Sequence, residues 1–150
     1  MDIVIAVLAT TVSGLLVGVE IAVAFVVNPI LRGLPFAASI QGRAHAARML
    51  GRIMPFWYFG SVIIAAALVA LTWGTPPATT ALLGALLFAV SVVLSITLLV
   101  PINNRSKTWT AENHPADWRE QHKRWDRLHD VRTAIIVTGF VLVVTSGALL

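Results

Sequence analysis

An uninterrupted apolar run near the start of the chain decides its fold: residues 3–27 read IVIAVLATTVSGLLVGVEIAVAFVV. The run exceeds the roughly 20 residues that a helix needs to cross a bilayer core of about 30 Å. Glu20 is the only charged residue within it. A carboxyl group at that depth is costly unless it is paired, neutralised or hydrated, so Glu20 is a candidate functional residue from its position alone.

The composition indicates an integral membrane protein. The chain has 150 residues, of which 57% are hydrophobic and only 12% are charged, and its mean hydropathy is +0.83. A soluble domain has about twice that share of charged residues, roughly a quarter. Cysteine is absent, which excludes disulfides and thiolate chemistry. The length leaves no room for a second domain, so we expect one domain over residues 1–150.

Three further apolar runs follow the first. Because a backbone in hydrocarbon must satisfy its own hydrogen bonds, each run is expected to be a helix. A short Gly-Thr-Pro-Pro turn at Gly74–Pro77 joins the second and third runs as an antiparallel hairpin. The sequence therefore predicts an all-α bundle of four transmembrane helices, with spans at about 3–27, 56–73, 80–100 and 131–150.

The basic residues predict the orientation in the membrane. All eleven Lys and Arg residues lie in the segments 28–54 and 102–132. By the positive-inside rule both segments are cytoplasmic and both termini lie outside, in the inner membrane if the chain is bacterial. The pI of about 10.7 then reflects topology and contact with anionic lipid headgroups, and we expect no binding of nucleic acid.

Prolines and aromatic residues suggest where the helices end. Residues 37–54 carry a basic amphipathic pattern between Pro35 and Pro55, which predicts a separate helix on the cytoplasmic membrane surface. Trp57 and Tyr58 are expected to mark the interfacial end of the second span. Asn28-Pro29 is expected to end the first span, and residues 101–104, Pro-Ile-Asn-Asn, are expected to end the third.

A stripe of functional side chains introduces the fourth span. Trp118, His122, Trp125, His129 and Arg132 recur at spacings of four, three, four and three residues, so they share one face of a helix. This helix is expected to begin near Trp118 in the cytoplasm and to continue into the membrane. His129 then lies at the cytoplasmic mouth of the bundle, accessible as a general base or a metal ligand.

Glu20 allows two interpretations. It either lines a cleft or makes a structural hydrogen bond to a neighbouring helix, for instance to Ser91 or Ser95. If the first span ends at Asn28, eight residues of helix place Glu20 about 12 Å inside the boundary, too far from His129 for both to bind one ion. We therefore expect no metal site, and instead a pocket that is open to the cytoplasm and has Glu20 at its floor.

The same residues resemble a known family. The block Pro101-x-Asn103, followed by Trp125-x3-His129-x2-Arg132, together with Gly18-x-Glu20 and Asn28-Pro29, resembles the anthrone-oxygenase-like family of small four-helix membrane proteins. Some fungal members of that family oxidise anthrones to anthraquinones with dioxygen, whereas most bacterial members have no assigned substrate. The resemblance implies a pocket at Glu20, Asn103, Trp125, His129 and Arg132.

A mechanism follows from the resemblance as a hypothesis. A small lipophilic aromatic substrate, such as an anthrone or a phenol, loses a proton to His129. Asn103 and Arg132 stabilise the resulting anion, which reacts with dioxygen, and Glu20 passes a proton to the reduced oxygen. No cofactor is required. A copper or iron ion is compatible with this hypothesis, and His129 would then be its first ligand.

The substrate-binding residues are expected to be Trp125, Trp109, Trp118 and Asn28. The tryptophans offer flat faces for stacking a planar aromatic, and Asn28 lies on the same side of the membrane as the expected pocket.

Two other function classes remain open. Glu20 could couple proton movement to transport of a small molecule, as a single glutamate does in the first span of small multidrug transporters. Alternatively, the chain could be a non-catalytic membrane subunit. Gly14 and Gly18 form a small-xxx-small pair, which could serve a partner helix or a homo-oligomer, and could equally pack within the monomer.

Overall fold

The computed structural model describes residues 2–150, and these residues form helices and no strands. The elements are α1 (Asp2–Ala22), a π-helical turn (Val23–Val27), α2 (Asn28–Gly33), α3 (Phe36–Thr72), α4 (Pro77–Leu94), a second π-helical turn (Ser95–Leu99), α5 (Val100–Ser106) and α6 (Trp118–Ala148).

Four continuous helical spans are long and apolar enough to cross a membrane, and this confirms the predicted all-α membrane bundle. Their outward surfaces carry large apolar side chains, such as Phe25 and Phe56, which are 74% and 80% exposed. Such surfaces suit a lipid environment and mark an integral membrane protein. The spans are Ile3–Gly33, Phe36–Thr72, Pro77–Ser106 and Trp118–Ala148.

The predicted ends of the first and third spans are wrong. Pro29 and Pro101 each follow a π-helical turn, and the helix continues beyond both prolines, to Gly33 and Ser106 respectively. A proline lacks the N–H of the regular ladder, and its ring collides with the preceding turn. The wider π turn accommodates this, because the hydrogen bonds there join residues five apart: Asn28 donates to Val23 and Val100 donates to Ser95.

The separate amphipathic helix over residues 37–54 is also a wrong prediction. These residues form the first half of α3, and Pro55 lies inside that helix without ending it. Proline is tolerated within membrane helices because neighbouring groups satisfy the freed backbone acceptor. Tyr58, expected at an interface, is instead buried with 8% of its surface exposed. The prediction for the fourth span is confirmed, since α6 begins at Trp118 and runs unbroken to Ala148.

Two glycines bring α4 and α6 into close contact. A Cβ atom added at Gly84 would lie 2.9 Å from the carbonyl oxygen of Gly139, so only hydrogen fits there. In contrast, a Cβ at Gly14 would make an ordinary contact with Phe140, and a Cβ at Gly18 would meet nothing within 4 Å. Gly84 and Gly139 therefore allow a close approach of two helix backbones, and the homo-oligomer through Gly14 and Gly18 stays a prediction.

An ion cluster ties three spans together at the end of the bundle that carries the 107–117 connection. Arg43 donates two hydrogen bonds to the Asp126 carboxylate at 2.9 and 3.0 Å, and Arg32 donates one at 3.0 Å. Asp126 and Arg43 are both buried, whereas Arg32 is half exposed. This cluster fixes the first half of α3 against α6.

Candidate functional site

The buried charge of span 1 is paired across the bundle. Arg132 of α6 donates to Glu20 Oε2 through Nη2 at 3.0 Å and through Nε at 3.2 Å. The Tyr58 hydroxyl donates to Glu20 Oε1, and Arg132 Nη1 donates to Ser95 Oγ at 3.0 Å. Spans 1, 2, 3 and 4 each contribute one of these side chains. Glu20 is therefore a charge-paired carboxylate, which is how a buried ion is retained.

His129 belongs to the same cluster. Its Nδ1 lies 2.8 Å from Arg132 Nη2 and 3.5 Å from Glu20 Oε2. Since Arg132 can only donate, Nδ1 accepts, and Nε2 carries the proton that it donates to the Glu20 carbonyl oxygen at 3.3 Å. This tautomer is assigned from the hydrogen bonds. His129 is buried and both of its ring nitrogens are engaged within the cluster, so the prediction of a free imidazole at the mouth of the bundle is wrong. The predicted depth difference between His129 and Glu20 is wrong as well, since their side chains lie 3.5 Å apart.

The similar depth of Glu20 and His129 follows from the lengths of their helices. His129 was placed at the boundary of the bundle, whereas α6 begins eleven residues before it, at Trp118. The first span likewise continues thirteen residues beyond Glu20, to Gly33. Both side chains therefore lie at a similar distance from that end of the bundle, and Glu20 lies level with His129 and Arg132. The structural alternative for Glu20 is also modified: Ser95 contacts Arg132 rather than the carboxylate, and Ser91 donates to the carbonyl of Phe88 in its own helix.

The cluster faces a cavity of about 510 Å³. This lies within the size range of ligand pockets, about 300–1,000 Å³. Its walls are mostly apolar and include both π-helical turns, and π turns are frequent at functional sites. All six of these predicted site residues line it: Glu20, Asn28, Asn103, Trp125, His129 and Arg132.

The three predicted stacking tryptophans separate into two places. Trp125 lines the cavity and stacks on His129, with ring centroids 4.9 Å apart and planes inclined by 8°. Trp109 and Trp118 do not line it and instead form a small core with Ile40. Both pack against His122, with centroid distances of 5.2 and 5.6 Å. The geometry therefore brings only Trp125 to the predicted pocket.

Tyr58, Ser95 and His122 line the cavity but are not among the site residues predicted from the sequence. Tyr58 lies on the face of α3 that also buries Ser61 and Ala65. The spacings of three and four residues within the predicted span 56–73 were the available signal that these side chains share one face. His122 lines the cavity, and neither of its ring nitrogens has a hydrogen-bond partner. Its place in the predicted stripe of α6 was the available signal.

The residues at the cluster do not fit a metal ion. Among residues 2–150, no group of three or more His, Asp or Glu side chains is gathered to hold one. In addition, His129 has no free lone pair, since one nitrogen accepts from Arg132 and the other donates to a carbonyl. The Arg132 guanidinium between His129 and Glu20 would repel a cation at this position.

The family model for anthrone oxygenase matches residues 49–142, more than half of the chain. The chain belongs to the anthrone oxygenase family. The matched segment contains Tyr58, Asn103, Trp125, His129 and Arg132, so most of the site lies within the part that defines the family, while Glu20 lies outside it. No curated protein and no solved structure gives a significant match.

Proposed function

We propose that this member of the anthrone oxygenase family oxidises a small lipophilic aromatic, anthrone-like or phenol-like, with dioxygen. The observation that carries the proposal is the Glu20–Arg132 pair at the wall of a mostly apolar cavity. A planar apolar substrate suits such a cavity, and dioxygen partitions into the apolar interior. The family membership supports the oxygenase-like role, and the proposal adds the substrate class and the roles of the residues.

Glu20 is the group we assign as the base. His129 has one nitrogen protonated and the other bound to Arg132, whereas Glu20 is the anionic group of the cluster and lines the cavity. The carboxylate accepts hydrogen bonds from Tyr58 and Arg132, so the substrate proton replaces one of these bonds. When Glu20 takes a proton, negative charge moves to the substrate oxygen. Arg132 then stays beside an anion throughout, first the carboxylate and then the enolate or phenolate, which keeps its buried charge compensated. Asn103, which lines the same cavity, can donate to that oxygen.

His129 acts in this scheme as a positioning residue. It accepts a hydrogen bond from Arg132 and is held by stacking on Trp125. These contacts hold the guanidinium beside Glu20 at the cavity wall, and the orientation of a charged donor determines how well it stabilises a developing anion.

The reaction balances for an anthrone without any further reactant. The substrate CH2 group loses a proton to Glu20, and the carbanion carbon forms a bond to dioxygen, giving a hydroperoxide after protonation by the Glu20 carboxylic acid. The second hydrogen of that carbon then leaves as a proton and the O–O bond breaks, so that water departs and a ketone remains. Anthrone plus dioxygen thus gives anthraquinone plus water, and one oxygen atom of dioxygen stays in the product.

We also propose the orientation that the basic segments favour. The cavity lies at the end of the bundle with the 107–117 connection, and Arg43, Arg48 and Lys107 are among its lining residues. If this end faces the cytoplasm, as the positive-inside rule favours, the substrate enters from the inner leaflet and both termini lie outside. Cysteine-scanning accessibility at each terminus tests this orientation.

The experiment is an oxidation assay on the purified chain in lipid nanodiscs. Anthrone is the probe, and its conversion to anthraquinone is followed by absorbance and oxygen uptake, with empty nanodiscs correcting for spontaneous oxidation. With ¹⁸O-labelled dioxygen, the new carbonyl is expected to carry the label. Because a general base contributes about 100-fold or more, Glu20→Gln is expected to lower kcat by about that factor.

The matched control is Glu112→Gln, an exposed acid outside the cavity, which is expected to retain full turnover. His129→Ala is expected to reduce kcat as well, since it releases Arg132. An unlabelled product, or turnover of well-folded Glu20→Gln close to the unmodified protein, would contradict the proposal.

A further inference from the structure

The charges of the cavity are distributed unevenly between its two ends. Among the described residues that line it, Glu20 is the only acid, and Arg132 pairs with Glu20 at the inner end. At the outer end Arg48, Arg52 and Lys107 line the mouth, and none of them makes an ion pair with a described acid. The outer end therefore has an uncompensated positive charge.

The position of Arg48 is fixed across the mouth. Its Nη1 donates to the carbonyl oxygen of Lys107 at 2.6 Å, which joins the first half of α3 to the end of α5. The remaining N–H groups of the guanidinium stay available to a ligand. Arg43 also lines the cavity, but its charge is already matched by Asp126.

Buried hydrogen-bond donors lie between the mouth and the inner cluster. Asn28 Nδ2 and Trp125 Nε1 both belong to cavity-lining residues, and neither atom has a hydrogen-bond partner. Asn28 is 97% buried, since only 3% of its surface is exposed. A buried donor without a partner is destabilising by about 1–3 kcal/mol, so this level of the cavity favours a ligand that brings acceptor oxygens.

We infer that the outer half of the cavity binds a carboxylate carried by the aromatic substrate at the end away from the reacting carbon. The inference rests on the proposed function for the identity of the aromatic ring. Asn28 lies eight residues from Glu20, which corresponds to about 12 Å of helix, so a ligand must be an extended ring system to reach both. A carboxylate has only acceptors, so it matches the donors and the positive charges of Arg48, Arg52 and Lys107, which are not paired with an acid.

A lipid phosphate offers the same anionic oxygens to the basic mouth. The substrate carboxylate is the better fit because the unpartnered donors of Asn28 and Trp125 are buried within the cavity, beyond the exposed arginines. A headgroup at the membrane surface would meet Arg48 and Arg52 but would leave the buried donors without acceptors.

The test measures binding, so it does not depend on turnover. Anthraquinone-2-carboxylate and its neutral analogue 2-(hydroxymethyl)anthraquinone are titrated into the protein in phosphatidylcholine nanodiscs, with tryptophan fluorescence as the signal. The carboxylate is expected to bind at least about tenfold more tightly, as one charge-assisted hydrogen bond provides. The Arg48→Gln/Lys107→Gln variant is expected to lose this preference, while the neutral ligand binds as before.

Arg105→Gln is the matched control, because Arg105 is an exposed cation of α5 outside the cavity; it is expected to keep the preference. Equal affinities of the two ligands for the unmodified protein would overturn the inference. So would a preference that disappears when phosphatidylglycerol is added to the nanodiscs, since the basic mouth would then bind lipid.

The same titration separates this inference from the proposed function. A preference for the carboxylate in a protein that does not oxidise anthrone would support the inference and reject the function. Oxidation of anthrone without the preference would reject the inference alone.

Discussion

Replacing Arg132 by Met tests whether the buried ion pair is as desolvated as its geometry indicates. The substitution keeps the apolar stem and removes the guanidinium. Glu20 then loses the donors at 3.0 and 3.2 Å, and Ser95 and His129 each lose one donor as well. Only Tyr58 remains as a side-chain donor to the carboxylate.

The expected loss follows from the burial of both partners, with Glu20 2% and Arg132 7% exposed. Removing one member of a buried pair leaves an uncompensated charge and destabilises by about 3–5 kcal/mol. For a chain of this length such a loss lowers the unfolding midpoint by about 10 °C. The variant Glu20→Gln/Arg132→Met removes both charges, and replacing both is often neutral, so its stability is expected to recover to within about 1 kcal/mol.

The assay is thermal unfolding of the three proteins in the same detergent, followed by tryptophan fluorescence, together with Glu20→Gln to complete a double-mutant cycle. The double variant is expected to be stable yet inactive, which would separate the structural contribution of the pair from its chemical one. A midpoint for Arg132→Met within about 2 °C of the unmodified protein would correspond to less than about 1 kcal/mol and refute the reasoning. A double variant as unstable as Arg132→Met would refute the coupling.

Three further predictions concern other contacts. Asp126→Ala is expected to lower the free energy of unfolding by about 3 kcal/mol, because it leaves the buried Arg43 unpaired. Arg32→Gln removes a half-exposed partner and should change the free energy of unfolding by less than about 1 kcal/mol. Chemical unfolding of both variants in mixed micelles compares them. Gly84→Ala should destabilise by about 1–3 kcal/mol through overpacking, while Gly18→Ala, which meets open space, should be tolerated; equal midpoints would contradict this. Tyr58→Phe should cost about 1 kcal/mol and lower oxidation of anthrone without abolishing it, as oxygen uptake would show.

Hydrophobic run length was enough to predict the helical class and all four spans, because a bilayer imposes a minimum length on any crossing helix. Glu20 was recognised for a related reason: a lone charge in an apolar run is conspicuous in sequence. The ion pair of Glu20 with Arg132 was not predicted. Arg132 was assigned to the substrate anion, since a sequence does not state which residues of different helices lie at the same depth.

The helix boundaries were wrong where proline was taken as a stop signal. Continuous helices contain all three of these prolines: Pro29, Pro55 and Pro101. A proline removes one backbone hydrogen bond, but ending the helix there would leave further N–H and C=O groups without partners, because the bilayer core contains no water to bind them. Each helix end predicted at a proline made a span too short, and the depth inferred for the residues of that span was wrong as a result. Tyr58 was assigned to an interface for the same reason, since the second span was begun at Phe56.

The π-helical turns also change which residues share a side of their helix. Eight residues of uniform α-helix separate Glu20 from Asn28 by about 800° of rotation, which leaves them about 80° apart. A π turn carries one extra residue, which absorbs about 100° and reduces the offset to about 20°. Ser95 and Asn103 are likewise eight residues apart with a π turn between them, and all four residues line the cavity. Each turn is thus equivalent to a single-residue insertion. Deleting one residue from it would leave seven residues of regular α-helix, about 700° of rotation, so Asn28 or Asn103 would keep its side of the helix. Conversion of the turn to α-helix without a deletion would rotate that asparagine by about 100° and turn it away from the cavity.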